Sequence, residues 1–121
     1  MQTIAAGTGL TGPFILATDV VNEQVSPGRT GAYALGYIDN LGRFCVTFIG
    51  SSQSDLNSRI KEHIGTAQYF KFRHFPNGKE SFEKECRLFH EFLPRENFLH
   101  PARPKNTVWN CPTCLAKRTS H

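Results

Sequence analysis

The sequence predicts an α+β fold in which a small, mainly antiparallel sheet of three to four strands is flanked by helices. Three observations carry that prediction. Residues 33–38 and 44–49 are β-branched or aromatic at most positions, and Asp39-Asn40-Leu41-Gly42 between them is turn material, so the pair forms a β-hairpin. Residues 67–75 mix aromatic and basic side chains at a strand-like period and predict a third strand. Residues 52–65 and 80–93 repeat their apolar side chains at helical spacing.

At the N-terminus, residues 14–21 are expected to add an edge strand, with Ser26-Pro27-Gly28 turning the chain into the hairpin. The apolar run of residues 13–17 is too short for a signal-peptide core or a membrane span, which predicts a soluble, intracellular, cytoplasmic protein. After the hairpin, a helix can start at Ser52 or Ser54, because Ser52-x-x-Asp55 has the form of a capping box, and Gly65 is its natural stop. Leu56, Ile60 and Ile64 form its apolar stripe, with Arg59 and His63 one turn apart along the edge. In the third strand Phe70, Phe72 and His74 share one face, while Tyr69, Lys71, Arg73 and Phe75 share the other. Pro76-Asn77-Gly78 ends that strand, and Ser81 is placed to cap the second helix.

Projected as a helix, residues 80–93 put Glu80, Glu83, Lys84, Arg87 and Glu91 on a wet face. Phe82, Leu88, Phe89, Phe92 and Leu93 spread over the opposite side, and Glu85 lies among them. A carboxylate aimed at a core is costly unless it meets a cation, a hydrogen-bond donor or a metal. Glu85 is therefore a candidate site residue, whereas Glu83 faces water.

A chain of 121 residues is long enough for one modest core, and with 39% hydrophobic and 20% charged residues it is ordinary globular material. A net charge of +4 and a pI near 9.0 suit a polyanionic partner without demanding one. Acidic residues stop at Glu96, while Arg103, Lys105, Lys117 and Arg118 follow, so the tail reads either as a phosphate-contacting arm or as a solvated end. Lys71 and Arg73, interleaved with aromatics, read equally as nucleic-acid contacts or as the solvated face of a core strand.

Gly31-Ala32-Tyr33, then Phe48-Ile49-Gly50, then Arg59 and His63, in that order and spacing, resemble the nuclease domain of the GIY-YIG endonucleases. The resemblance covers residues 31–97 and divides the chain into an N-terminal extension (1–30), a nuclease-like core (31–97) and a basic tail (98–121). It departs from the family pattern at Ala32, where Ile is usual, and at Phe48, where the second tyrosine loses its hydroxyl. The resemblance implies a metal-dependent endonuclease that hydrolyses phosphodiester bonds in nucleic acid, with DNA the expected substrate. Arg59 would clamp the scissile phosphate, and Glu85 would bind Mg²⁺ or Mn²⁺. Tyr33, its phenol acidified by nearby positive charge, would be the general base. His63 would orient Tyr33 or the water, or hold a phosphate. Gly50 would let backbone approach the site closely, and Asn97 matches a late asparagine of the family. Two alternatives stay open: a catalytically inactive nucleic-acid-binding domain, for which Phe48 speaks, and a zinc-stapled interaction module.

The four cysteines suggest a second metal. Cys111-Pro-Thr-Cys114 can present two thiolates to one Zn²⁺, and Cys86 and His90, spaced i, i+4, can supply the other two ligands, with His100 as an alternative to His90. A structural zinc there would staple the tail to the helix that carries Glu85. Cys45, in mid-strand, reads as core.

Overall fold

The computed structural model describes residues 9–92. The described elements are β1 (Thr11–Ile15), α1 (Thr18–Gln24), β2 (Gly31–Ile38), β3 (Phe44–Ser52), α2 (Leu56–Lys61), β4 (Tyr69–His74) and α3 (Gly78–Phe92). The strands form one sheet in the order β1-β4-β2-β3, and every neighbouring pair is antiparallel. The expected α+β sheet is thus present with four strands, and the hairpin β2-β3 supplies its centre and one edge. The tail that the sequence reading expects a zinc to staple, residues 98–121, lies outside the described residues. No helix among the described residues is long and apolar enough to cross a membrane.

Each face of the sheet has its own core. Tyr33 and Leu35 of β2 and Phe70 and Phe72 of β4 pack with Val21 and Val25 at α1 and Leu56 and Ile60 of α2. On the other face Ala34, Phe44, Val46 and Ile49 pack with Leu88 and Phe92 of α3. The pleat requires this partition, because successive side chains of a strand leave on opposite sides. It holds along β3 only because of a bulge. Leu35 pairs with Phe48 and Gly36 with Val46, so Thr47 has no partner in the ladder. That extra residue lets Val46 face α3 while Phe48, two positions on, faces α2.

Four local expectations are corrected. The strand at residues 14–21 ends at Ile15, and Thr18–Gln24 is helical. Val20 and Val21 look like strand residues, but Val21 and Val25 lie one helical turn apart and are both buried, so packing overrides β propensity. Helix α2 is capped by Asp55, whose side chain accepts from Ser58 N, while Ser52 remains in β3 and its hydroxyl accepts from Asp55 N at 3.0 Å. Helix α3 is capped by Asn77, whose Oδ1 accepts from Glu80 N at 2.9 Å. Ser81 sits inside α3, fully buried, with its hydroxyl 2.7 Å from that of Thr30. Finally, α2 stops at Lys61, so Ile64 lies beyond it and is 39% exposed rather than part of a buried stripe.

Helices α1 and α2 are locked together by Asn57. Its amide is 3% exposed and donates to Val25 O at 2.8 Å, at the end of α1. Removing that donor leaves a buried carbonyl unsatisfied, so Asn57→Ala is expected to lower the free energy of unfolding by about 1–3 kcal/mol, measured by urea denaturation.

Candidate functional site

The five residues from Phe48 to Ser52 build most of the site by alternation. Phe48, Gly50 and Ser52 pair with Leu35, Tyr33 and Gly31 and point to the α2 side, whereas Ile49 and Ser51 pair with Ala34 and Ala32 and point to the α3 side. Gly50 faces Tyr33 without a side chain, and the phenol ring occupies the space. A Cβ on Gly50 would lie 2.5 Å from Tyr33 Cζ and 2.8 Å from Cε1, so the buried ring would have to shift. The bare backbone of Gly50 thus lies close against the ring of Tyr33. It makes room for the tyrosine.

The phenol so placed reaches His63, with Tyr33 Oη 2.7 Å from Nε2. His63 lies just past the end of α2, in a turn where its backbone N–H donates to Ile60 O at 3.0 Å. Phe48 packs against the same imidazole, with ring centroids 4.8 Å apart, and against Tyr33 at 6.2 Å. At position 48 the ring thus braces the Tyr33–His63 pair, a packing role that survives the loss of a hydroxyl.

Protonation follows from burial. Tyr33 is 2% exposed, and desolvation pushes its phenol above the ordinary value of 10.0; Glu85 pushes the same way, Arg59 opposes them, and Glu62 adds to the rise. The expected acidification of Tyr33 by positive charge is corrected, since the cost of a buried phenolate exceeds what Arg59 returns. Desolvation also lowers His63 from its ordinary value of 6.5, with Glu62 opposing and Arg59 assisting. In the Nδ1–H tautomer of the neutral imidazole, Tyr33 Oη–H donates and Nε2 accepts; in the Nε2–H tautomer the roles are exchanged.

Arg59, in the last turn of α2, is exposed yet near enough to act on both Tyr33 and His63. Glu85 comes from the opposite face of the sheet. It is half-buried on α3 and accepts a hydrogen bond from Ser51 Oγ at 2.5 Å, at Oε1. Because β3 is the edge strand, the site straddles that edge, with Tyr33, His63 and Arg59 on the α2 side and Ser51 and Glu85 on the α3 side.

The remaining candidates separate from this cluster. Lys71 and Arg73 pair with Ala34 and Ala32 and so lie on the α3 face, away from His63. Lys71 Nζ sits 5.2 Å from the Phe44 ring centroid, and Arg73 Cζ sits 5.2 Å from that of Phe75. Asn97, Lys117 and Arg118 lie outside the described residues. Of the zinc candidates, Cys86 is fully buried and His90 half-buried on α3, while His100, Cys111 and Cys114 are outside the described residues. Cys45 is buried in the core, as expected. Among the described residues no group of three or more His, Cys, Asp or Glu side chains comes together as a metal cage. Glu85, a half-buried carboxylate held by Ser51, is of the ligand type that suits Mg²⁺, which keeps several waters and shares its coordination with substrate phosphate.

Sequence reasoning missed Ser51 and the bracing role of Phe48. Strand alternation from Ile49 would have put Ser51 on the α3 face, but nothing in the sequence says which α3 residue stands opposite. Comparison with protein-family models, with curated proteins and with solved structures gave no match.

The lowered His63 gives a pH test of the buried pair. The unfolded chain binds a proton near pH 6.5 and the folded chain only at lower pH, so folding stability from this group is complete above 6.5 and falls as pH drops below it. Urea denaturation between pH 7.5 and about 5 is expected to show that loss in the wild type, with a shallower dependence in His63→Gln.

Proposed function

We propose that this chain is a GIY-YIG-type, metal-dependent endonuclease that hydrolyses phosphodiester bonds in nucleic acid, with DNA as its substrate. The observation that supports the reading best is the 2.7 Å hydrogen bond from Tyr33 to His63, with Arg59 and Glu85 both acting on the same phenol. The reading is also supported by the meeting of four motif residues from β2, α2, the turn after α2 and α3 at one strand edge.

The proposed chemistry uses the tautomer in which Tyr33 Oη–H donates to His63 Nε2. As the attacking water gives its proton to Tyr33 Oη, the phenol passes its own proton to His63 Nε2, so a free phenolate never has to form. The water oxygen makes the new bond to phosphorus, the bond to the leaving sugar oxygen breaks, and that oxygen takes a proton from solvent. A neutral imidazole is the right terminal acceptor at neutral pH, whereas a buried phenol alone would be a poor one. Arg59 would hold the non-bridging phosphate oxygens through its planar fork and offset the charge that builds on them. Glu85 would hold Mg²⁺ or Mn²⁺, which when bound neutralises the phosphate and the leaving oxygen. Lys71 and Arg73 on the α3 face, with Asn97, Lys117 and Arg118, would serve contacts remote from the scissile bond.

A second reading, a nucleic-acid-binding domain without catalysis, is favoured by the 2% exposure of Tyr33 and by the missing hydroxyl at Phe48. Incubation of supercoiled plasmid with Mg²⁺, against EDTA, separates the two. Cleavage by the wild type is expected to fall on the order of a hundredfold or more in Arg59→Ala, Glu85→Ala and Tyr33→Phe. Wild-type rates in all three would remove the nuclease assignment, and plasmid retardation without cleavage would establish the binding domain.

A structural Zn²⁺ held by Cys86, His90, Cys111 and Cys114, with His100 as the alternative to His90, belongs to the same proposal. Elemental analysis of protein purified without chelators is expected to give one zinc per chain. A content below about half an equivalent, with freely reactive thiols, would eliminate the site.

A further inference from the structure

Position 51 carries a role that neither the motif order nor the family resemblance assigns. Ser51 Oγ donates to Glu85 Oε1 at 2.5 Å and accepts from Gln53 Nε2 at 3.1 Å. The polarity of this chain is set at both ends. A side-chain amide nitrogen can only donate, and an ionised carboxylate can only accept, so the single Ser51 proton is directed at Glu85. The backbone supports the arrangement. Ser51 lies on the α3 face of the edge strand, opposite Ala32, whose methyl group leaves the hydroxyl room to reach across to α3. Its neighbour Ile49 is fully buried in the α3-side core with Leu88, so strand and helix are held at fixed spacing beside the bond.

We infer that Ser51, oriented by Gln53, is a positioning residue for the metal-binding carboxylate: it holds Glu85 in one rotamer at the rim of the sheet, ready for a divalent cation. The inference rests on the nuclease reading for the assignment of a metal to Glu85. Its physical basis is the entropy of a long, half-exposed glutamate, which must be fixed before it can bind an ion whose other ligands are waters and phosphate. Hydrogen-bond partners of metal ligands contribute roughly ten- to a hundredfold to metal affinity in such sites.

The test measures metal binding directly. Mn²⁺ titration of the full chain, followed by the loss of the free-ion electron paramagnetic resonance signal, is run on the wild type, Ser51→Ala, Ser51→Thr, Gln53→Ala and Glu85→Gln, alongside thermal unfolding without metal. Binding is expected to vanish in Glu85→Gln and to weaken about tenfold or more in Ser51→Ala. Gln53→Ala should weaken it less, and Ser51→Thr, which keeps the hydroxyl, should retain it. In cleavage, Ser51→Ala should raise the half-saturating Mg²⁺ concentration while rates at saturating Mg²⁺ stay near wild type. Equal Mn²⁺ affinity in Ser51→Ala and wild type would overturn the role of Ser51 and leave the nuclease reading standing. Weakened binding in Ser51→Ala with no cleavage by the wild type would support Ser51 and remove the nuclease. A wild type that binds no Mn²⁺ would overturn the Ser51 inference, and absence of cleavage in that same preparation would overturn the nuclease reading as well.

Discussion

The site depends on one steric fact: the ring of Tyr33 lies where a side chain at position 50 would be. A tyrosine on β2 can point across β3 only if β3 offers bare backbone there, and glycine alone does so. Everything on the α2 side follows from that contact. The phenol reaches the sheet edge, His63 meets it from the turn after α2, and Phe48 closes the third side of the aromatic group. Removing the gap would displace the hydroxyl, and with it the hydrogen bond that joins the sheet to the turn after α2.

Burial then decides the chemistry available. Positive charge from Arg59 is present, as a motif-based reading anticipates, but it works against the desolvation of a nearly inaccessible ring and against a carboxylate, and it loses. The consequence is a neutral hydrogen-bonded pair rather than a charged base. Proton movement along such a pair changes the net charge of neither residue until the imidazole has taken its proton, which avoids a buried anion at every stage.

The fold was largely legible because its strands announce themselves. Aromatic and β-branched alternation located β2, β3 and β4, and the apolar spacing of α3 placed Leu88 and Phe92 in the core. Failures fell where local chemistry has two solutions. Ser52 and Asp55 both look like caps, and Ser52 was claimed by the strand; Ser81 looked like a cap and was claimed by Thr30. The segment through Val20 and Val21 has strand propensity, yet its burial pattern is that of a helix held by Asn57. Within the site, the order Tyr33, Gly50, Arg59, His63, Glu85 was visible, whereas the 2.7 Å contact of Tyr33 with His63 and the hold of Ser51 on Glu85 depend on which elements meet in space. A one-dimensional pattern carries the identity of such residues but not their distances.

The unpaired Thr47 has a consequence beyond local geometry. It divides β3 into two halves of opposite parity: in the first, even-numbered residues face α3, and in the second they face α2. Loss of Thr47 would set Phe48 directly after Val46 in a regular ladder, with Phe48 still opposite Leu35 on the α2 side and Ile49 still opposite Ala34 on the α3 side. The bulge thus takes up one odd residue between the two halves of β3 while the residues of the candidate site keep their faces.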